Sequence, residues 1–405
     1  FAVHSGPEAE RHHFNSVVSK RDMFDTYLPA FEDCVKEAKV ESVMGAYNAV
    51  NGEPSNASDV LLTDILRNRW GFKGHVVSDC GAINDLHSNY HVTNTVAESA
   101  ALGIKKGCDL NCGGVYKHLF TSYKEGLIEE ADLDRALRRV LKARFKLGMF
   151  DDPAHVVYSA IPYNVLACRA HKQLAREAAR RSLVLLKNDE QILPLSKTQG
   201  KVALIGPAIK QQEFGDYTCT PEEDQAVTIY DGVVEKIGKD AVLYARGCEF
   251  MDDNTDGIAE AVQVAQQADV VIVALGDCDR STGENNDRAD LHFTGAQEPL
   301  LKAVCETGKQ VILVAATGKP VILEYAAEHA KAILESWFSG EEGGHAVADI
   351  LFGDVCPTGK LPITFPRSME QLPLYYNYHM SGRKYDYLDQ TSVPRYRFGY
   401  GLSYS

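Results

Sequence analysis

Short apolar runs alternating with amphipathic segments constrain this chain more than any other feature. Residues 40–47 read as a strand that ends in polar residues, and 74–79 as a second strand, apolar until Ser78 and Asp79. Between them, 59–68 reads as a helix with Ser58 or Asp59 near its N-cap. A helix over 95–106, a short strand over 108–112, and helices over 116–125 and 129–146 follow. Such alternation predicts a parallel sheet with covering helices, and near-continuous apolar strands fit burial on both faces. Residues 1–4 would add one more strand. Four strand–helix units make half of an eight-fold barrel, which leaves two open sheet edges and an unfilled core. The other half is therefore expected from an upstream segment or from another chain.

Residues 151–171 hold Pro153 and Pro162 with little periodicity and read as a linker. A second α/β pattern covers 172–371: strands over 183–187, 201–206, 241–245, 270–275, 311–315 and 332–335, with helices over 172–182, 232–237, 257–268, 296–306 and 343–352. This predicts an open, mostly parallel sheet with helices on both faces. Residues 372–405 form a Tyr-rich irregular tail. Two domains suit 405 residues.

A net charge of −14 argues against a nucleic-acid partner, which needs clustered Lys and Arg. The basic run Arg135 to Arg139 sits at helical spacing and reads as a solvated face. No stretch approaches the roughly 20 apolar residues of a membrane span. Ten cysteines are too few for a disulfide scaffold. Cys108 and Cys112 lack a second pair for zinc, so buried thiols with one or two disulfides are expected. Gly340 to Gly344 lacks the Lys-Ser/Thr of a phosphate loop, and no cofactor or metal is expected.

Asp79 closes a buried parallel strand, where barrel enzymes place catalytic groups. A helix N-cap is the competing reading, of equal weight on position alone. Glu284 lies in a polar loop, 276–288, after the apolar strand 270–275, at the edge where open sheets hold ligands. A calcium loop is disfavoured by its spacing and its two arginines. Two carboxylates on different domains suit glycoside hydrolysis in a cleft: one attacks the anomeric carbon, the other donates and then accepts a proton. Tyr47, Asn48, His87, Tyr90 and His91 are candidates for sugar contacts, with Tyr47 placed to reach Asp79. His4, Glu8 and Arg11 follow the first strand and would line the same rim. A zinc site from His4, His12 and His13 is disfavoured by spacing.

These residues carry a resemblance. The run KVESVMGAYNAVNGEPSNASDVLLTDILRNRWGFKGHVVSDCGAINDL resembles the nucleophile region of glycoside hydrolase family 3, the β-glucosidase and β-xylosidase family. GENNDRADLHFTGAQ resembles its acid/base segment, and SWFSGEEGGHAVADILFGDVCPTGKLPITFP and FGYGLSYS resemble its later runs. The resemblance implies Asp79 as nucleophile and Glu284 as acid/base, with Glu341, Glu342 and Asp287 as fallbacks. It implies the C-terminal half of a TIM-type (β/α)8 barrel over 1–150, then an α/β sandwich domain over 172–371. It also implies that a Lys-His pair, the first barrel half and a fibronectin-like domain lie outside this chain, which alone would then be inactive. Cys80 stands where many β-glucosidases carry Trp, a form similar to the β-xylosidase branch and expected to reshape the sugar site.

The expected function is a retaining exo-β-glycosidase acting on terminal β-xylosyl or β-glucosyl residues, with an oligosaccharide or glycoside as partner. A periplasmic or secreted setting is expected, and a homodimer is one open arrangement. A non-catalytic carbohydrate-binding or scaffold protein is the alternative.

Overall fold

The computed structural model describes residues 1–198, 200–219, 221, 225–374 and 391–405. The chain divides into two units, Phe1–Tyr163 and Asn164–Ser405. Both are α/β, and each holds a mixed sheet. Most of the Tyr-rich tail, 375–390, lies outside the described residues.

In the first unit β1 (Asn15–Ser16), β3 (Ala49–Val50) and β4 (Glu53–Pro54) form a small sheet that the sequence did not foreshadow. β2 (Ser42–Gly45) and β5 (His75–Ser78) pair in parallel, Ser42 opposite His75 and Gly45 opposite Ser78. Residues 108–112 add only an isolated parallel bridge, Val77 to Leu110, instead of the expected strand. The reason is Asp109. Its buried carboxylate accepts from the Val76 amide at 2.9 Å and pairs with Arg67 (2.9 Å) and Arg139 (2.8 Å). A side chain thus takes a backbone donor that a ladder would use.

Residues 1–4 form no strand. Ala2 and Val3 take φ of +77° and +53°, which breaks the extended run. The Phe1 backbone nitrogen donates to the Met44 carbonyl at 2.6 Å. The helix at Asp59–Arg69 is of the wide π type, with Ser58 accepting from the Leu61 amide at its start. Helix Val96–Lys106 opens with a Thr95–Glu98 capping box and stops at Gly107, whose φ is +104°.

In the second unit six strands lie in the order β6 (Val184–Asn188), β11 (Ala332–Glu335), β10 (Gln310–Ala316), β9 (Val270–Gly276), β7 (Val202–Ile205), β8 (Val242–Ala245). Only β6 runs antiparallel, against β11. Every residue of β9 is buried. Its side chains alternate between two cores: Val271, Val273 and Leu275 pack with Leu300 and Val304, while Val270, Ile272 and Ala274 pack with Val347 and Ile350. Helices on both faces account for an unbroken apolar strand.

The glycine run opens helix Gly343–Leu351, the helix expected over 343–352. A Cβ on Gly344 would sit 1.9 Å from the Thr228 carbonyl oxygen, and one on Gly232 2.2 Å from that of Gly344. Glycine here permits a close approach to helix Ile229–Ile237. Asp349 on the same helix joins Arg176 and Arg180 of helix Arg169–Ser182 to Lys236. Helix Glu324–His329 was missed because it spans six residues, too short for a periodic signal.

Candidate active site

Asp79 follows β5 directly and is half-buried. Its amide donates to the Gly45 carbonyl at 2.9 Å, extending the parallel pairing one residue past the strand. Its carboxylate accepts from the Cys80 amide at 2.7 Å. An N-cap bond would come from an amide two or three residues on; the bond seen comes from the next residue.

Cys80 is not a free side chain. It forms a disulfide with Cys112, so Cys112 pairs across 32 residues and Cys108 stays a buried thiol. Burial pushes the Cys108 thiol up to about 12, which makes it unreactive. The Tyr47 hydroxyl donates to the Cys80 carbonyl at 2.8 Å. Tyr90 donates from its hydroxyl to the carbonyls of Tyr47 (3.0 Å) and Phe14 (3.1 Å). Buried Asn48 ties its amide to Ser16 and the Ala49 carbonyl, a structural role inside the small sheet.

Arg11 lies with its guanidinium 5.1 Å from the Tyr47 ring centre and pairs with Glu8 at 2.6 Å. His12 packs its ring on Tyr47, 4.2 Å between centres, and bonds Asp85 at 2.9 Å. His4 packs against Phe14 and Tyr27, and its carbonyl accepts from Ser16. His13 pairs with Glu10 at 2.5 Å. The three histidines weighed as a zinc site, His4, His12 and His13, therefore engage different partners. His87 turns its ring to Ser99 on helix Val96–Lys106, at 3.0 Å, and His91 bonds the His87 carbonyl. The structure thus gathers Asp79, Cys80, Tyr47 and Arg11, while the His87 ring is bonded to Ser99 on helix Val96–Lys106.

In the second unit Glu284 is half-buried in the loop after β9. Its amide donates to Asp216 at 2.9 Å, and the Tyr217 hydroxyl donates to its carboxylate. Asp277, at the root of the loop, is consumed by structure. It is buried, accepts from Lys319 (2.6 Å), Ser281 (3.1 Å) and the Gly318 amide (3.1 Å), and so fastens the loop to the turn after β10. Of the fallbacks, Glu342 is buried and paired with His345 at 2.5 Å, and the Glu341 carbonyl accepts from Val227. Asp287 is exposed in the Glu284 loop.

Two carboxyls escaped the sequence reading. Glu213 accepts from the Asp279 amide at 3.3 Å and from Gln211 at 2.7 Å, and burial holds its carboxyl above the usual range. It follows β7, so the same carboxyl-edge rule that selects Glu284 would have reached it. Glu335 ends β11 fully buried, and desolvation raises its carboxyl well above the usual range. A hollow of about 30 Å³ beside Glu213, Asp277 and Trp337 has room for water but not for a sugar ring.

Residues 1–143 match the Glycosyl hydrolase family 3 N terminal domain, and residues 183–404 the Glycosyl hydrolase family 3 C-terminal domain. The chain belongs to glycosyl hydrolase family 3. Among family relatives, all of this chain is 37% identical to a Periplasmic beta-glucosidase of Salmonella typhimurium, covering 58% of that protein. It is 35% identical to a Beta-xylosidase of Formosa agariphila, over 96% of this chain and 56% of the relative. A crystal structure of the beta-glucosidase from Listeria innocua in complex with glucose superposes with a TM-score of 0.90 at 31% identity, over 97% of this chain and 55% of that one. This family 3 chain thus spans little more than half the length of these relatives. Among its described residues, no helix is long and apolar enough to cross a membrane.

Proposed function

We propose that this family 3 chain belongs to a retaining exo-β-glycosidase that removes terminal β-xylosyl or β-glucosyl residues. The observation that carries the reading is the setting of Asp79: a half-buried carboxylate one residue past a parallel strand, held by its neighbour's amide. Asp79 attacks the anomeric carbon and forms a glycosyl ester while the leaving oxygen takes a proton from Glu284. Glu284, now a base, takes a proton from water, which displaces Asp79 with net retention.

The first unit then corresponds to the C-terminal part of a (β/α)8 barrel over 1–150, and 172–371 to an α/β sandwich domain. The rest of the barrel comes from the same protein or another chain. Arg11 and Tyr47 are assigned to the sugar-facing rim with Cys80, and His4 and His87 to its margin. The names of its relatives support both β-glucosidase and β-xylosidase action. The Cys80–Cys112 disulfide, in place of an aromatic platform, favours the pentose. A periplasmic or secreted setting agrees with that disulfide and with the periplasmic relative.

Release of nitrophenol from β-xyloside, β-glucoside and α-arabinofuranoside by the whole protein tests the reading. Turnover on a β-glycoside, lost in Asp79→Ala, is expected. Sugar binding without release from any of the three would favour a non-catalytic carbohydrate-binding protein instead.

A further inference from the structure

We propose that His12 is a positioning residue for Asp79, acting through Tyr47; this rests on the assignment of Asp79 as nucleophile. Four contacts make a closed circuit within the first unit. Asp85 lies on the segment that leaves β5 through Asp79 and Cys80, and it bonds the His12 ring at 2.9 Å. The His12 ring packs on Tyr47 at 4.2 Å between centres. The Tyr47 hydroxyl donates to the Cys80 carbonyl at 2.8 Å. The Cys80 amide donates to the Asp79 carboxylate at 2.7 Å. The circuit therefore starts and ends on the same stretch of chain, residues 79–85.

The parts of the circuit differ in freedom. Asp85 has a side-chain exposure of 6% and is also bonded by Asn89 at 2.7 Å, so it is a fixed anchor. Tyr90 fixes the Tyr47 backbone through its carbonyl. What remains is the swing of the Tyr47 ring about its own side-chain bonds, which Arg11, 5.1 Å from the ring centre, bounds together with His12. The His12 ring, tethered to Asp85, packs against the Tyr47 ring and limits that swing. A tyrosine held in this way fixes the Cys80 carbonyl and so restrains the Cys80 backbone, whose amide, across the α-carbon in the preceding peptide unit, aims Asp79. An attacking carboxylate displaced by an ångström loses rate without losing substrate affinity.

The test is a double-mutant cycle in the whole protein, with Asp79→Ala as the reference for the assay. His12→Ala is expected to lower kcat about ten- to hundredfold with KM within about twofold. Tyr47→Phe removes the hydroxyl at the other end of the same linkage. His12→Ala in that background should cost little more, because both changes break one circuit. His12→Gln, which can keep the Asp85 bond without a ring, covers the case in which alanine impairs folding. It should show the same loss, while His12→Phe, which keeps the ring, should recover most of the rate. An additive cycle, or an unchanged kcat in His12→Ala and His12→Gln, overturns the proposal and leaves the Asp79 reading intact. Turnover that survives Asp79→Ala overturns both.

Discussion

The disulfide between Cys80 and Cys112 joins the residue that follows Asp79 to the segment that follows Leu110. The residue next to the candidate nucleophile is thereby held twice, by the disulfide at its side chain and by the Tyr47 hydroxyl at its carbonyl. A loop of 32 residues is closed by that bond. Reduction with dithiothreitol, or Cys112→Ser, should lower stability by about 2–4 kcal/mol. Thermal melts with and without reductant check this; equal melting temperatures would contradict it.

Loss of the two assigned carboxylates should separate by their roles. Asp79→Ala should lower kcat at least about a thousandfold, as removal of other nucleophiles does. Glu284→Ala should lower it by about 10²- to 10⁴-fold on substrates with poor leaving groups. Azide should restore part of the Glu284→Ala rate and yield a β-glycosyl azide, seen by NMR. Without rescue, Glu284 loses its assignment.

Asp349 should matter for stability and not for catalysis. Its carboxylate is buried among Arg176 (2.6 Å), Arg180 (2.5 Å) and Lys236 (2.6 Å). Although burial works against the charge, these hydrogen-bonded cations hold the carboxyl well below its usual range. A depressed folded value means stabilisation that is full above the unfolded value, near 3.9, and fades as pH falls through the folded one. Asp349→Ala removes the carboxylate shared by the three cations, of which Lys236 keeps Asp354 (2.7 Å) and Arg180 keeps Glu177 (3.7 Å), and should cost about 3 kcal/mol. Urea unfolding at pH 7 measures it, and a loss below about 1 kcal/mol would refute the argument.

Glu335 should show the opposite sign. Desolvation raises its carboxyl, and one of its oxygens has no hydrogen-bond partner among the described residues, while the other accepts from Thr317 (3.0 Å) and the Trp337 amide (3.1 Å). The folded state then keeps a proton that the unfolded chain has released. Stability therefore falls as pH rises from about 4.3 towards the folded value, by about 1.4 kcal/mol per unit. Glu335→Gln removes that slope and should be the more stable protein at neutral pH. Unfolding free energies at pH 5 and 7.5 decide it; an identical slope in both proteins would be the failing result.

Thr95 caps helix Val96–Lys106 from both directions, its side chain taking the Glu98 amide and Glu98 returning to the Thr95 amide. Thr95→Ala should cost about 1 kcal/mol. Glu98→Gln, which can still accept the amide, should cost less. Chemical denaturation of both variants tests the order.

Much of the second unit could be read from residue order. Strands β7, β9, β10 and β11 announce themselves because burial on both faces demands unbroken apolar runs, a signal local to each segment. Helix Val96–Lys106 was equally plain, since Thr95, Glu98 and Gly107 mark its ends within the chain itself. The positions of Asp79 and Glu284 past apolar strands were also legible, because strand ends can be read in sequence. What no local pattern holds is the choice of partner. Cys112 could not be matched to Cys80, nor His12 to Asp85 across 73 residues, until the chain had folded. Nor could Asp109 be seen to take the Val76 amide and cut a strand to a single bridge. Periodicity encodes which face of an element is apolar; pairings between distant polar groups depend on geometry that the packed core sets, and only the tertiary structure decides them.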